Sequence, residues 1–315
     1  MKAVVLRQIT KAEEIRPEEV PMPKVRPGWV LIQVKAFGLN HSEQILRLEE
    51  IEEDYIQKPV IPGIECAGVV EDPSDSAFSK GDTVVALMGG MGRSYNGSYA
   101  QYVLVPADHV FQAQTELGWK ELGALPETYY TAWGSLFECL QLKAEDHLLI
   151  RGATCALGYA AIQIAKALGC KVTATTHRVE KLELLKEADE ALPDSGSLAG
   201  KLGGVTKVLE LVGPKTLRDT LSNAQRGTIV CHTGILGGLY ALDGFDPIKE
   251  IPNGVYLTGF FSNTPTQSDI TNILDFIKKH KISPCIGREY SFLEIGKAVM
   301  DMEDGKINGK IVVSV

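Results

Sequence analysis

A strand, a turn of small residues, a helix and a second strand follow one another between residues 146 and 176, and this order leaves few folds open. The run DHLLI is short and apolar, as in a strand buried on both faces. After the turn, apolar residues recur at helical spacing: Leu157, Ala161, Ile164, Ala165 and Leu168. Gly169 is placed to end this helix, and the strand CKVTATT follows at once. The pattern predicts a βαβ unit with two parallel strands.

The same alternation extends from about residue 119 to residue 234. Strand-like runs TKVLELVG and GTIVCHTG alternate with the helical runs ELGALPETYYTAWGSLFECLQL, RVEKLELLKEA and KTLRDTLSNA. Before about Pro106, by contrast, short β runs such as WVLIQVKAF and ECAGVV are broken by Pro and Gly. Because 315 residues are enough for two cores, we expect an α/β chain with a compact β-rich domain and a parallel-sheet domain.

The composition narrows the classes of partner. The net charge is −8, with 44% hydrophobic and 23% charged residues, and Lys and Arg are scattered. Neither nucleic acid nor an anionic membrane is therefore an expected partner. No apolar run has the length of a membrane span and the N-terminus has no signal-peptide core, so we expect a cytoplasmic protein. The six cysteines form no C-x-x-C pair, which favours buried free thiols over a zinc or dithiol motif.

The turn RGATCALG is the first candidate binding element. Aligned on its last glycine with the fingerprint G-x-G-x-x-G, it has Ala153, Cys155 and Gly158 at the glycine positions, with Thr154, Ala156 and Leu157 between them. Only the third glycine remains, which is needed for close helix–strand packing. The other residues are mostly small, and amides at a helix N-terminus attract anions. We predict that residues 153–158 hold the diphosphate of a dinucleotide, and an ordinary tight turn is the alternative.

The end of the next strand indicates which dinucleotide. An NAD site places Asp or Glu there to hold the ribose 2′-hydroxyl. This chain instead has Thr176, His177 and Arg178, with Lys181 one helical turn further on. Hydroxyls and positive charge suit a 2′-phosphate, so we predict NADP(H). A solvated basic helix start is the alternative, although cations at a helix N-terminus oppose its dipole.

These segments and the β-rich start together resemble the medium-chain dehydrogenase/reductase superfamily, within it the zinc-independent quinone oxidoreductase branch. The runs PGWVLIQVKAFGLNHSEQILR and PVIPGIECAGVVE are similar to the GroES-like catalytic domain, and GATCALGYAAIQIAKALGCKVTATT to the cofactor domain. The resemblance implies a discontinuous GroES-like domain of residues 1–118 and 257–315. It also implies a Rossmann, doubly wound NADP(H)-binding domain of residues 119–256. A homodimer is implied too, paired through an edge strand near NGVYLTGFF.

Departures from the superfamily's zinc enzymes shape the expected chemistry. Those enzymes have Cys where this chain has Asn40 and His where it has Ile64, and the structural zinc lobe is missing. His41 and Glu65 alone are too few ligands, so no metal is expected. Without a Lewis acid, the expected acceptor is a quinone or an α,β-unsaturated carbonyl that takes hydride from NADPH. A trans-2-enoyl thioester reductase and a non-catalytic NADPH-binding sensor are the alternatives.

Individual residues receive roles from the resemblance. Asn40 would hydrogen-bond the nicotinamide ribose or the substrate oxygen, Arg47 a substrate carbonyl or cofactor phosphate, and Thr131 would contact the nicotinamide end. Each has an ordinary alternative: a turn residue, a surface arginine and a threonine inside a helix. The family often has Tyr where this chain has Ile45, so the proton donor is open, with Tyr55, Tyr95 and Tyr129 as substitutes.

Further cofactor contacts are expected where strands end. Val212 and Gly213 follow the run KVLEL, and Thr233 and Gly234 follow TIVCH. Ligands of open α/β sheets bind at the carboxyl ends of the strands, so we predict that these four residues contact the cofactor. Turn formation by the glycines is the alternative.

Overall fold

The computed structural model describes all residues of the chain, Met1–Val315. The strands, in chain order, are β1 (Lys2–Ala3), β2 (Glu18–Glu19), β3 (Trp29–Gly38), β4 (Glu65–Asp72), β5 (Thr83–Leu87), β6 (Tyr102–Pro106), β7 (Val110–Gln112), β8 (His147–Arg151), β9 (Lys171–Thr176), β10 (Glu190–Pro193), β11 (Lys207–Glu210), β12 (Ile229–His232), β13 (Tyr256–Gly259), β14 (Ile286–Ser291) and β15 (Lys310–Ser314).

The α-helices are α1 (His41–Leu48), α2 (Trp119–Gly123), α3 (Pro126–Trp133), α4 (Ala156–Leu168), α5 (Pro214–Asn223), α6 (Pro247–Glu250), α7 (Gln267–His280) and α8 (Ile295–Glu303). Short 3₁₀ helices cover Ala12–Glu14, Glu50–Glu52, Ala107–His109, Val179–Leu185 and Phe292–Glu294, and a π-helix covers Gly134–Cys139. None of these helices is both long enough and apolar enough to cross a lipid bilayer.

Two compact units make up the chain. The β-rich unit consists of Met1–Tyr130 and Ser262–Val315, and the parallel-sheet unit of Thr131–Phe261. The predicted domains instead change at 118/119 and 256/257. Residues 119–130 lie in the β-rich unit because α2 packs against β3: a Cβ on Gly123 would lie 2.7 Å from the Cβ of Ala36. Residues 257–261 lie in the other unit because β13 is a strand of its sheet.

The β-rich unit is built on a seven-stranded sheet of order β14-β15-β3-β4-β5-β7, with β6 also paired to β3. Strand β3 is ten residues long and buries Val30, Ile32, Val34 and Phe37 in the main core of the unit. Its end pairs with β15 in the register Gly38↔Val312. This pairing places the start of β15 beside the start of α1.

The second unit contains six parallel strands in the order β10-β9-β8-β11-β12-β13. The strand that comes first in the chain, β8, lies at the centre, so the direction of winding changes between β8 and β11. This is the doubly wound order of dinucleotide-binding domains. Leu148, Leu149 and Ile150 of β8 are fully buried. The predicted fold class is therefore confirmed, together with the β8–α4–β9 unit and the helix end at Gly169, whose φ is +98°.

One predicted helix differs. The run RVEKLELLKEA forms a 3₁₀ helix over Val179–Leu185, in which Leu185 alone is buried. Val179 and Leu184 are exposed, so no apolar stripe packs on the sheet. A helix this short obtains most of its stability from such packing.

Candidate active site

The turn between β8 and α4 is shaped by close backbone packing. Gly152 has a φ of +84°, a conformation that favours glycine. Ala153 is buried, and its amide donates to the Thr175 carbonyl at 2.8 Å. A Cβ on Gly158 would lie 2.2 Å from the Ala153 oxygen. Gly158 therefore has no room for a side chain, while residues 154–157 between them are half-buried and reach the surface.

The start of α4 is electrically positive. Its first-turn amides have no carbonyl in the helix to bond to, and the helix dipole adds to their charge. The cap is Cys155, whose sulfur accepts from the Gly158 amide at 3.3 Å. Burial raises the pKa of the Cys155 thiol to about 11, so the cap carries no negative charge at neutral pH. The N-terminus of α4 is thus suited to binding an external anion.

The ends of β11 and β12 meet beside this turn in the same sheet. The Glu210 carboxylate accepts from the amides of Val212 at 2.9 Å and Gly213 at 3.1 Å, which fixes the chain after β11. A Cβ on Gly213 would lie 2.4 Å from the Gly234 oxygen, and Gly234 itself faces the Leu211 backbone at 2.3 Å. The two glycine turns therefore pack directly on each other.

Thr131 and Thr233 are joined through a residue that sequence reasoning missed. The Ser135 hydroxyl donates to the Thr131 carbonyl at 2.7 Å and lies 2.9 Å from the Thr233 hydroxyl. Ser135 is fully buried in the π-helix that follows α3. Thr131, Ser135 and Thr233 are thus connected by hydrogen bonds next to the carboxyl end of β12.

The end of β9 carries the hydroxyls and cations expected from the sequence. The Thr176 hydroxyl lies 3.0 Å from that of Thr154 and accepts from the Arg178 amide at 3.2 Å. His177 is exposed. Burial, followed by the nearby charge of Arg178, lowers the pKa of Lys181. Two like charges are therefore held close together, an arrangement that a bound anion would stabilise.

A buried arginine supports this edge of the sheet from within. Arg151 ends β8 and is fully buried. Its guanidinium donates to both Asp194 oxygens, at 2.7 and 3.0 Å, and to Asp219 and Thr220 at 2.8 Å. These bonds tie β8 to the chain after β10 and to α5. Arg151 is a structural tie, and its burial could not be predicted from the sequence.

Asn40, in the other unit, belongs to a buried charged group that we call the Asn40 cluster: Asn40, Glu43, Glu65 and Lys310. The Asn40 carboxamide donates to Glu65 Oε1 at 2.7 Å, and its own oxygen accepts from Lys310 Nζ at 2.7 Å. Lys310 also pairs with Glu65 at 2.7 Å. The second Glu65 oxygen accepts from the Glu127 amide at 2.7 Å. Sequence reasoning missed the roles of Glu43 and Lys310.

Glu43 is buried beneath Asn40. Its carboxylate accepts from the Asn40 amide at 2.5 Å and the Ile64 amide at 3.2 Å. Burial raises the Glu43 pKa to about 7, although the Lys310 charge and the two amides oppose the shift. Glu43 therefore changes charge near neutral pH, next to a half-buried Asn40.

Arg47 already has partners within the protein, and the candidate tyrosines differ in exposure. Arg47 is 3% exposed, forms an ion pair with Glu303 and donates to the Thr10 carbonyl. This places it in the protein interior with its charge already paired. The Tyr95 hydroxyl donates to the Met88 carbonyl at 3.2 Å, Tyr129 is buried and Tyr55 is exposed.

Comparison with known proteins identifies the family. A family model described as an alcohol dehydrogenase GroES-like domain matches residues 26–115, and one described as a zinc-binding dehydrogenase matches residues 184–313. The quinone oxidoreductase of Homo sapiens is 35% identical over 311 residues, which cover 93% of this chain and 91% of that protein. The chain belongs to the medium-chain dehydrogenase/reductase superfamily. The resemblance to this superfamily, inferred from the residues, is confirmed.

Other relatives match along the whole chain, in sequence or in fold. An alcohol dehydrogenase of Geobacillus stearothermophilus is 28% identical, with 99% of this chain and 98% of the relative covered. The crystal structure of an NAD-dependent alcohol dehydrogenase has a TM-score of 0.85 at 25% identity and covers both chains completely. Membership makes this chain a medium-chain oxidoreductase.

The residues around Asn40 do not fit the zinc that one family model's description implies. Ile64 has no donor atom, and the oxygens of Asn40 and Glu65 already bond the Lys310 ammonium. A divalent cation at the same oxygens would be repelled by that ammonium. Nowhere in the chain do three His, Cys, Asp or Glu side chains meet in an arrangement that could hold a metal. In the Asn40 cluster, the Lys310 ammonium occupies the position next to these oxygens that a metal ion would need.

Proposed function

We propose that this protein is an NADPH-dependent oxidoreductase that reduces a quinone or an α,β-unsaturated carbonyl without zinc. The observation that carries the proposal is the sheet edge where the turn 153–158, Val212–Gly213 and Thr233–Gly234 come together. The glycines at positions 158, 213 and 234 leave no space for a Cβ, so the backbone of the turn and of the two strand ends packs closely together. Such an edge, next to the positive end of α4, fits a dinucleotide.

Arg178 and Lys181 support the choice of NADPH. A 2′-phosphate at the end of β9 would neutralise the two neighbouring cations and accept from the Thr176 hydroxyl or from the exposed His177. Residues 176–178 contain no acid to hold a free ribose hydroxyl. When bound, NADPH supplies a hydride from C4 of its nicotinamide.

The acceptor class follows from what the Asn40 cluster offers. A fixed hydrogen-bonding amide orients a carbonyl and stabilises a developing oxyanion, but it polarises a carbonyl less than a metal does. Quinones and enones are electrophilic enough to accept a hydride with only this hydrogen-bond assistance. Asn40 is proposed to bond the substrate oxygen or the nicotinamide ribose, and Thr131 to contact the nicotinamide. The single proton that completes the reduction after hydride transfer comes from solvent or a nearby donor.

Arg47 is the weakest member of the proposed catalytic set, since its guanidinium is already paired inside the protein. We also propose a homodimer. Its support is that β13 is an outer strand of the parallel sheet and carries the exposed Tyr256, close to the exposed Phe261.

An acceptor screen tests the function. NADPH oxidation is followed with naphthoquinones, enones, an alcohol–aldehyde pair and crotonyl-CoA, each with and without chelator. We expect turnover with quinones or enones that chelation does not change. Preference for crotonyl-CoA would indicate an enoyl thioester reductase, and tight NADPH binding without any turnover would indicate a binding protein.

A further inference from the structure

Lys310 reaches Asn40 from the far end of the chain. The two residues are 270 positions apart, yet Lys310 Nζ lies 2.7 Å from Asn40 Oδ1 and 2.7 Å from Glu65 Oε1. The Lys310 and Glu65 side chains are 4% and 0% exposed. Lys310 is therefore a buried cation whose bonds include the predicted active-site asparagine.

The path of this side chain is built into the sheet. Gly38 ends β3 and pairs with Val312 of β15. A Cβ on Gly38 would lie 2.1 Å from Lys310 Cε and 2.9 Å from its Nζ. The absence of a side chain at position 38 thus lets the lysine lie across the backbone and reach Asn40.

The contacts select one orientation of the Asn40 carboxamide. An ammonium group only donates and an ionised carboxylate only accepts, whereas a carboxamide has one donating and one accepting end. With Lys310 at Oδ1 and Glu65 at Nδ2, both ends are matched. A rotation by 180° would set the NH₂ group against the ammonium and the oxygen against the carboxylate, and both contacts would be repulsive.

We propose that Lys310 is a positioning residue for hydride transfer: with Glu65 it fixes the Asn40 carboxamide in the orientation that meets substrate or cofactor. This inference rests on the proposed function, in which Asn40 makes that contact. A buried ion pair is seldom the most stabilising choice for a core. The orientation that it imposes accounts for its presence beside the half-buried Asn40 amide.

The test compares K310M, E65Q/K310M, N40A and N40A/K310M with wild type. The pair E65Q/K310M removes both charges, so the fold does not have to bear an uncompensated buried carboxylate. We expect kcat to fall about 10- to 100-fold in K310M and in E65Q/K310M, the range that misplacement of a catalytic group produces. The Kd for NADPH, most of whose proposed contacts lie in the other unit, should change less than about twofold.

Non-additivity separates positioning from general stabilisation. If Lys310 acts through Asn40, the N40A/K310M enzyme should be no slower than N40A. The matched control is K306M, which removes an exposed lysine of the same segment and should leave kcat unchanged. A folded E65Q/K310M enzyme with wild-type kcat, or fully additive losses in N40A/K310M, would overturn the inference.

A readout independent of turnover keeps the two proposals apart. The side-chain amide protons of Asn40 are observed by ¹H–¹⁵N correlation in wild type, E65Q/K310M and K306M. We expect slow exchange and separated shifts in wild type and in K306M, and their loss in E65Q/K310M. Unchanged amide signals in E65Q/K310M would refute the positioning role. A wild-type enzyme that reduces no acceptor would refute the proposed function, and the amide signals would then decide the inference alone.

Discussion

The backbone oxygen of Ala153 lies 2.2 Å from the point where a Cβ on Gly158 would stand. This contact brings the first turn of α4 against the end of β8, and the turn between them is the proposed diphosphate site. The fingerprint is reduced to its packing glycine. The close packing of α4 on the end of β8, which this glycine permits, is nevertheless present.

Gly158→Ala should therefore damage both packing and binding. Overpacking of a core costs about 1–3 kcal/mol of unfolding free energy, and we expect a lower Tm with an NADPH Kd raised at least about tenfold, or about 1.4 kcal/mol. Fluorescence titration of NADPH measures the binding. The control is Gly203→Ala, where a Cβ would meet nothing within 4 Å. Equal affinities of G158A and wild type would show that the turn does not bind the cofactor.

Arg178→Asp tests the choice of cofactor. Hydrogen bonds to a charged group contribute about 1.5–3 kcal/mol, so the KM for NADPH should rise about 10- to 100-fold. The KM for NADH, which has no 2′-phosphate, should change about twofold or less. Lys186→Asp, a charge reversal at an exposed residue on the same segment, controls for the general field. Similar effects on both cofactors would remove the case for NADPH.

Arg151→Met tests the support under the sheet edge. Removal of one partner from a buried ion pair costs about 3–5 kcal/mol, here by leaving Asp194 uncompensated. Arg218→Met breaks an exposed pair with Glu250 and should cost about 1 kcal/mol or less. Urea unfolding measures both. Losses of similar size would mean that the Arg151 network is not a main source of stability.

The same pair predicts an acid response. Burial raises the pKa of Asp194, but the hydrogen bond and charge of Arg151, together with the Gly196 amide, outweigh it, and the net pKa is lowered. A carboxyl group whose pKa is lowered on folding stabilises the folded state at pH values above its unfolded-state pKa of about 3.9. This stabilisation is lost as the pH falls through the folded-state pKa. Wild type should therefore lose more stability than R151M when the pH is taken from 6 to below 4. Parallel pH curves for the two proteins would contradict the assignment.

Glu43 predicts a response of opposite sign. Its folded pKa is raised to about 7, so between the unfolded value of about 4.3 and pH 7 the folded state holds the extra proton. Stability attributable to Glu43 should therefore fall as pH rises through this window and level off above it. Glu43→Gln carries no such charge, and its urea midpoint should decline less than that of wild type between pH 5 and pH 8. An identical decline would place the titration elsewhere.

The sequence was sufficient for the fold where periodicity and caps agree. Leu148–Ile150, the α4 stripe and Gly169 specified the βαβ unit, because each is a local signal. The segment Val179–Leu185 was less predictable. Its apolar residues resemble a helical stripe, yet whether they are buried depends on distant packing.

Some residues of the candidate site could likewise be predicted from local sequence, whereas others depend on distant contacts. The turn 153–158 and the basic end of β9 are each one short run of sequence, so each could be found as a motif. Lys310 could not be connected to Asn40, because the contact depends on β15 pairing with β3. One signal was available: Glu65 lies in the apolar run GIECAGVV, and a buried carboxylate requires a cation. Arg47, to which the resemblance assigns a substrate carbonyl or a cofactor phosphate, forms an ion pair with Glu303.

The most direct measurement is single-turnover oxidation of C4-deuterated NADPH by a naphthoquinone, with enzyme that has been exhaustively treated with chelator. Direct hydride transfer without a metal predicts a rate equal to that of untreated enzyme, slowed by deuterium on the transferred face only. A rate that disappears on chelation and returns with zinc, or the absence of any NADPH oxidation, would contradict it.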